Sequence, residues 1–297
     1  MRVVLNVPAG FRFDRTVYGH GWATLPPFRF DAGGRWLESV VALPRGGAAR
    51  VRLSATPGGV LVETPGRSSA FLRDAARRML NLDTDFSEFY RVARERDELA
   101  WIAETGAGRL LRCPTLFEDL AKLILTTNCT WAFTTRMVRT LVESYGEQAP
   151  DGSRSFPTPR SIARAGERQL RERVRAGYRA PSLARLAAMV DRGEVDPEAW
   201  ERDGRAAAEL RREMLGLPGV GPYVAENLLR FLGRPHGLGL DSWLRAKYYR
   251  MHHQGRRVTD RTIARRYARF GSWAGMAIWC DLTKRWFDEE DRPRIPV

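Results

Sequence analysis

Residues 215–229 read LGLPGVGPYVAENLL and residues 239–243 read GLDSW, and these two stretches decide the fold. An apolar helix end runs into the turn at residues 217–221. Pro222 suits the first position of a second helix, because proline lacks the donor that would be unpaired there. Two glycines around one small apolar residue allow positive φ and close approach of another backbone. The free amides at the second helix start, at the positive end of its dipole, can hold a phosphate.

Turn signals alone also fit an ordinary helix C-cap at Gly219 to Gly221. The isolated carboxylate of Asp241 favours a functional turn instead, because it follows Gly221 by twenty residues, after a predicted helix and a Gly/Pro loop. Asp241 also suits the N-cap of a helix that begins at Ser242, and the two roles can coexist.

These stretches resemble the helix-hairpin-helix of base-excision DNA glycosylases, in which a Gly/Pro-rich loop and a catalytic aspartate follow the hairpin. Residues 219–221 match the hairpin, 235–239 the loop and Asp241 the aspartate. The order of segments along the whole chain is similar to that of 8-oxoguanine and bacterial inducible 3-methyladenine DNA glycosylases. Further matches lie at GRLLR (108–112), TTN (126–128), GYRA (177–180) and GSWAG (271–275). The resemblance implies an α+β fold, with a mostly helical core of two subdomains after an N-terminal antiparallel β domain.

The pattern along the chain agrees with that plan. Short β-branched runs at 3–7, 36–43, 49–55 and 60–64 predict strands, and Pro57-Gly-Gly59 predicts a hairpin between the last two. From Ser69 onward the spacing of apolar residues becomes helical, and Thr115 suits a helix N-cap. We therefore expect a β domain over residues 1–70 and a helical glycosylase region over 71–297, with the hairpin unit at 205–232.

Composition restricts the partner and the compartment. A net charge of +14 indicates a polyanionic partner, with nucleic acid preferred to membrane. No apolar run is long enough to span a membrane, and the N-terminus does not resemble a signal peptide. Three widely spaced cysteines indicate a reducing compartment and cannot supply the four ligands of an iron–sulfur cluster. We expect a cytoplasmic, nucleoid-associated monomer without a required cofactor.

The chemistry of N-glycosidic cleavage assigns a role to Asp241. Positive charge builds on the sugar as the base leaves, and a carboxylate beside C1′ stabilises it and can orient water. By resemblance, lyase-competent members carry a lysine two residues past the hairpin, whereas this chain has Tyr223. A phenol cannot form a Schiff base, so we expect a monofunctional enzyme that leaves an abasic site. Helical spacing turns Lys247, the nearest lysine in sequence, away from Asp241.

Five side chains are candidates for the base pocket or for insertion into the duplex. Tyr223 either packs the hairpin or stacks on an extruded base. By resemblance Asn128 enters the duplex, or else it caps a helix from Thr130, and Phe133 stands where relatives carry an arginine that reads the opposite cytosine. Asn227 either hydrogen-bonds a base edge or is a solvated helix residue. Trp243 and Trp279 either stack on the base or belong to the core. His20, His252 and His253 form no metal-binding pattern and are expected at the surface.

The resemblance completes the predicted site. The hairpin residues Leu217, Gly219, Val220 and Gly221 are expected to bind the DNA backbone, and the carbonyls of Leu215, Leu217 and Val220 to coordinate Na⁺ or K⁺ there. We expect excision of an alkylated or oxidised purine from double-stranded DNA. Tyr223, Trp243 and the missing arginine favour an alkylated base. An 8-oxoguanine-type enzyme with a different opposite-base preference and a non-catalytic DNA-binding protein remain alternatives.

Overall fold

The structure is a computed structural model that describes residues 2–31, 33, 35–65, 69–235 and 237–286. Five antiparallel strands form one N-terminal sheet in the order β1-β5-β4-β3-β2. They are β1 (Arg2–Leu5), β2 (Arg29–Phe30), β3 (Trp36–Ala42), β4 (Ala48–Thr56) and β5 (Gly59–Glu63). Thr56 pairs with Gly59, so Pro57 and Gly58 form a two-residue hairpin loop, as predicted. The short strand β2 was not predicted, because two residues carry no detectable alternation.

Helices make up most of the remaining chain. They are α1 (Phe13–Tyr18), α2 (Ala70–Met79), α3 (Ser87–Arg94), α4 (Trp101–Thr105), α5 (Leu116–Thr126), α6 (Trp131–Tyr145), α7 (Pro159–Glu172), α8 (Ala180–Asp191), α9 (Ala207–Leu215), α10 (Pro222–Phe231), α11 (Ser242–His253), α12 (Asp260–Tyr267) and α13 (Ala274–Thr283). Short 3₁₀ turns lie at Gly21–Thr24, Gly177–Arg179, Pro197–Glu201, Ala268–Trp273 and Lys284–Trp286. The fold is α+β, with the sheet at the N-terminus, as predicted.

Helix α5 is the centre of the helical part, and buried charges fix its start. Thr115 caps it through a hydrogen bond from the Glu118 amide, as its sequence predicts. Glu198, from the 3₁₀ turn Pro197–Glu201, accepts the amides of Leu116 and Phe117 at 2.9 and 3.0 Å. A carboxylate at this end of a helix satisfies free donors and complements the helix dipole.

Asp119 on α5 joins the N-terminal part of the chain to the helices. Its carboxylate accepts the Trp22 indole N–H at 2.8 Å, the Cys113 amide at 2.9 Å and an Arg78 guanidinium N–H at 2.9 Å. Trp22 and Asp119 are both fully buried. One continuous apolar core includes Trp22, the inner face of the sheet and the central helices. The loop around Trp22 is therefore held rigidly against the helical part.

Among the helices of the described residues, none combines the length and apolarity needed to cross a membrane. In the same part of the chain, no group of three or more His, Cys, Asp or Glu side chains is arranged to hold a metal ion.

Candidate active site

The predicted hairpin joins α9 to α10. Helix α9 ends at Leu215 with Gly216 as its C-cap, so the reading of residues 219–221 as a helix C-cap is wrong. Gly219 has a φ of 78°, and a Cβ there would lie 2.9 Å from the Ser182 Cβ, so the turn requires glycine at this position. Arg211 on α9 pairs with Glu226 on α10 at 2.6 Å and ties the two helices together.

The start of α10 leaves its first donors free. Gly221 is the N-cap and contributes no side-chain hydrogen bond, Pro222 has no N–H, and the first intrahelical bond runs from the Ala225 amide to the Gly221 carbonyl. The space beside Gly221 is open, because a Cβ built there would meet nothing within 4 Å. By helix geometry the amides of Tyr223 and Val224 have no acceptor within α10, which is the arrangement that an anion site uses.

Asp241 is the N-cap of α11, as its sequence predicts. Its Oδ1 accepts the Leu244 amide at 2.7 Å, and Oδ2 has no hydrogen bond in the part of the chain that the structure describes. Two arginines fix the preceding loop: Arg230 donates to the Leu238 carbonyl at 3.1 Å, and Arg245 to the Leu240 carbonyl at 3.2 Å. The carboxylate is therefore held in place while one oxygen remains available. In the predicted loop 235–239, His236 lies outside the described residues.

Beside the hairpin, Asp241 lines a cavity of about 330 Å³ together with the predicted residues Tyr223, Asn227, Trp243 and Trp279. The other lining residues are mostly aromatic or small: His20, Gly21, Trp22, Thr24, Thr126, Cys129, Trp131, Thr134, Leu244 and Trp286. A volume of this size is in the range of small-molecule sites. Among the described residues, the cavity is lined mainly by aromatic side chains and one carboxylate, and it lies next to the start of α10.

The aromatic walls are packed against one another. Trp22 stacks on Trp131 with centroids 6.3 Å apart, and the Trp131 indole donates to the Thr24 hydroxyl at 3.0 Å. Gly21 permits this arrangement, because a Cβ there would lie 2.8 Å from the Trp131 ring. Trp279 donates to the Gly19 carbonyl at 2.9 Å and fixes the same loop from α13. The N-terminal loop therefore forms one wall of the cavity.

The expectation that His20 lies at the surface is wrong. Its side chain is 8% exposed, lines the cavity and packs on Trp22, Phe231 and Trp279 with centroids 4.4, 5.0 and 5.2 Å apart. Its Nδ1 is buried and has no hydrogen-bond partner among the residues that the structure describes. Burial, with a further contribution from the Arg230 charge, lowers the pKa of His20 to about 3. The only sequence signal for a role of His20 in the cavity was its position between two glycines.

His252 and His253 are partly buried rather than fully exposed. The His252 side chain is 15% exposed and its Nε2 lies 2.9 Å from the Asp281 Oδ2.

Asn227 is not a solvated helix residue, because it is only 4% exposed. Its amide nitrogen donates to the Tyr223 carbonyl at 2.8 Å, and its oxygen accepts from Arg230 at 2.6 Å. Arg230 is 1% exposed, and burial lowers its pKa to about 10. Sequence reasoning missed Arg230, although an arginine one turn after Asn227 within an apolar run was a usable signal. Because the oxygen of Asn227 is taken by Arg230, its remaining amide N–H is the group left to meet a ligand.

The loop between α5 and α6 carries Asn128, which contacts Tyr178 from a distant part of the chain. Asn128 is exposed, has a φ of 47°, and its amide donates to the Tyr178 hydroxyl at 3.0 Å. Asn128 does not cap α6, because Thr130 is the N-cap. Tyr178 is 57% exposed and its ring lies 4.5 Å from the Arg179 guanidinium, which is buried and bonds to the Thr127 carbonyl. The exposed side chains of Asn128 and Tyr178 are thus held beside the buried Arg179. The role of Tyr178 was not predicted from the sequence.

Tyr223 is half-buried, and its hydroxyl lies 3.4 Å from that of Thr126. Burial raises the pKa of Tyr223, and the nearby Asp241 charge acts in the same direction. Phe133, at the expected arginine position, packs partly buried against the core.

None of the three lysines lines the cavity among the described residues, and each has a different environment. Lys122 is fully buried and pairs with Glu118 at 2.7 Å, and Lys284 lies over the Trp101 ring at 5.4 Å. Lys247 lies over the rings of Trp243 and Trp286, at 5.0 and 5.7 Å, and both rings line the cavity. Lys247 thus contacts two rings of the cavity wall, although it is not among the described residues that line the cavity.

Neither a protein-family model nor a curated protein sequence matches the chain. Solved structures do match it. A 3-methyladenine DNA glycosylase from Archaeoglobus fulgidus superposes with a TM-score of 0.74 at 21% identity, over 97% of this chain and 99% of that one. The Clostridium acetobutylicum 8-oxoguanine glycosylase/lyase gives 0.67 at 20% identity, over 90% and 94%. The Schizosaccharomyces pombe 3-methyladenine DNA glycosylase, in complex with abasic DNA, gives 0.53 at 16% identity, over 69% and 98%. The chain thus has the α+β fold of the helix-hairpin-helix DNA glycosylases.

Proposed function

We propose that the chain is a monofunctional DNA N-glycosylase that hydrolyses the N-glycosidic bond of a damaged purine, alkylated or oxidised, in double-stranded DNA. One observation carries the proposal: the Asp241 carboxylate, fixed by its cap bond and with one oxygen unpaired, lines an aromatic cavity beside the hairpin. The shared fold with solved 3-methyladenine and 8-oxoguanine glycosylases supports it.

The geometry suggests how the reaction would proceed. A target base swung out of the stack enters the cavity and stacks on its tryptophan walls, at a cost of a few kcal/mol for leaving the duplex. As the base leaves, positive charge develops at C1′, and the unpaired oxygen of Asp241 stabilises it and orients the attacking water. Because Oδ1 is already bound by the Leu244 amide, the carboxylate is oriented before the substrate arrives.

The DNA backbone would be held at the hairpin. A phosphate at the open side of Gly221 receives the amides of Tyr223 and Val224 and the positive end of the α10 dipole. The carbonyls of Leu215, Leu217 and Val220 are the proposed ligands of a Na⁺ or K⁺ ion, whose charge would bridge to that phosphate. The Leu217 carbonyl accepts the Val220 amide at 3.2 Å, which leaves a second lone pair for such an ion.

Asn128 and Tyr178 are the proposed duplex-inserting pair. Both are exposed, they are hydrogen-bonded to each other, and buried Arg179 fixes the loop beneath them. Filling the gap left by an extruded base needs a preorganised side chain of this kind, because unstacking is unfavourable by itself. The charge of +14 would add sequence-independent attraction to phosphates.

The proposal that the enzyme is monofunctional rests on where its lysines lie. Tyr223 occupies the place two residues beyond the hairpin, Lys122 is buried in an ion pair, and Lys247 lies against the rings of Trp243 and Trp286. No lysine lines the cavity among the described residues. A Schiff base with C1′ would need a lysine amine inside it.

The test is a set of duplexes that each carry one damaged purine, assayed for strand cleavage with and without alkali. We expect cleavage of at least one substrate only after alkali, and no covalent adduct on borohydride treatment. Cleavage without alkali, with trapping that Lys247→Gln abolishes, would replace the proposal by a lyase. Salt-dependent DNA binding with no excision of any lesion would make the chain a non-catalytic binding protein.

A further inference from the structure

We propose that His20 is a specificity-determining residue that hydrogen-bonds the extruded base, and that the cavity selects uncharged damaged purines over cationic alkylated ones. The inference rests on the proposed glycosylase function and names its substrate class. It differs from the preference for alkylated bases that the sequence suggests.

The His20 side chain contains a buried polar atom that has no partner among the described residues. A buried polar atom without a partner is unfavourable by about 1–3 kcal/mol, so native proteins rarely keep one without a reason. The Nδ1 of His20 is such an atom, in a ring that is more than nine-tenths buried and lines the cavity. Packing on three aromatic residues fixes the ring plane. Only a group that hydrogen-bonds Nδ1 itself would remove this penalty, and His20 belongs to the cavity lining that a base would meet.

Burial, helped by the charge of Arg230, keeps the His20 imidazole uncharged. The buried Arg230 guanidinium lies close enough to His20 to help keep the imidazole uncharged. A neutral imidazole presents one donor and one acceptor, which suits the polar edge of an uncharged base. Asn227 adds an amide donor in the same cavity, with its orientation fixed by Arg230. Uncharged bases need such hydrogen bonds, because their glycosidic bonds are not weakened by a positive charge on the ring.

Three of the cavity tryptophans already lie next to a cation. Arg230 lies 5.6 Å from the Trp279 ring centroid, and Lys247 lies 5.0 and 5.7 Å from those of Trp243 and Trp286. Neither cation lines the cavity. A cation near a ring draws on the same electron density that would attract a second cation, and two like charges repel across it. The walls can thus stack an uncharged base while they favour a cationic one less.

The experiment measures single-turnover excision of 8-oxoguanine and hypoxanthine, which are uncharged, and of 7-methylguanine, which is cationic. We expect wild-type protein to excise at least one uncharged base with kcat/KM at least tenfold above that for 7-methylguanine. His20→Phe keeps the aromatic packing and removes the hydrogen bond, so it should lower that value at least tenfold. It should lower 7-methylguanine excision by a clearly smaller factor, because a cationic base depends less on this hydrogen bond.

Matched variants separate recognition from packing. His20→Asn and His20→Gln place an amide near one or the other ring nitrogen, and at least one should restore excision of the uncharged base tenfold over His20→Phe. Lys247→Gln should raise 7-methylguanine excision severalfold relative to the uncharged base. Binding of undamaged duplex at the wild-type level and a thermal midpoint no lower than that of wild type verify that each variant is folded.

Other results would contradict either this inference or the proposed function. A wild-type preference for 7-methylguanine, or equal loss on both base classes in His20→Phe, would overturn the inference while the glycosylase function stands. Failure of both amide variants to restore activity would overturn the hydrogen-bonding role. Absence of excision on every substrate would instead refute the proposed function itself.

Discussion

At the residue scale, His20 and Arg230 show how burial lowers the pKa of a basic side chain. The two side chains are 8% and 1% exposed, and both are held among aromatic rings. Burial keeps the imidazole uncharged, whereas the guanidinium stays charged because its pKa is still about 10. The charge of Arg230 orients Asn227, and its influence also reaches Asp241 and Tyr223. One buried arginine thus organises several groups around the cavity.

The low pKa of His20 predicts a pH dependence of stability. In the unfolded chain the imidazole takes up a proton near pH 6.5, whereas in the folded protein it does so only near pH 3. The unfolded state therefore binds more protons between these values, and the free energy of unfolding falls as pH falls through this window. From pH 7 to pH 5 the loss from His20 alone is about 2 kcal/mol.

Urea denaturation of wild type and His20→Phe at pH 7 and pH 5 measures this contribution. Both proteins lose stability from their other groups, so the difference between them isolates His20. We expect the phenylalanine variant to lose about 2 kcal/mol less over this interval. Parallel losses in the two proteins would mean that the imidazole titrates normally in the folded state.

At the element scale, the hairpin depends on two glycines with different tasks. Gly219 has positive φ and lies against Ser182, whereas Gly221 has φ −96° and ψ −178° and faces open space. An alanine at position 219 meets the steric penalty of the left-handed region, roughly 1–2 kcal/mol, and crowds Ser182. An alanine at position 221 meets no strain.

Gly219→Ala and Gly221→Ala therefore form a matched pair. We expect the first to lower the free energy of unfolding by about 1–2 kcal/mol or more. The second should leave stability within about 0.5 kcal/mol and weaken binding to undamaged duplex, because its methyl group occupies the space that a phosphate would approach. Full DNA affinity in Gly221→Ala would show that the phosphate does not bind at the α10 start.

Elements with strong local signals were predictable from the sequence. The Pro57–Gly58 loop, the Thr115 cap of α5 and the turn before Pro222 each depend on a few neighbouring residues, and the structure contains all three. The roles of His20, Arg230 and Tyr178 were not predicted, because they depend on contacts between residues far apart in the sequence. The His20 contacts with Phe231 and Trp279 are an example, since burial there is a property of the whole fold.

At the scale of the whole molecule, the cavity needs both parts of the chain. The N-terminal segment supplies His20 and Trp22, and the helical part supplies Asp241, Tyr223 and Trp279. Hydrogen bonds from Trp22 to Asp119 and from Trp279 to the Gly19 carbonyl hold the two together. The N-terminal segment is therefore part of the site, which a division of the chain into residues 1–70 and 71–297 does not show.

The excess of arginine acts at the same scale. Of the 49 basic residues only three are lysines, and none of these three is a freely solvated side chain, because each contacts a carboxylate or aromatic rings. Arginines therefore provide nearly all of the positive surface. Their planar donors suit phosphate oxygens, in agreement with the proposed DNA partner.

The most direct test of the account compares wild type with Asp241→Asn in single-turnover excision of the best substrate and in binding to the same duplex. Asparagine keeps the oxygen that caps α11, so the fold is preserved while the charge beside C1′ is removed. We predict a rate lower by at least ~10²-fold, with affinity for the duplex within about threefold of wild type. Excision at the wild-type rate by Asp241→Asn would contradict the central claim.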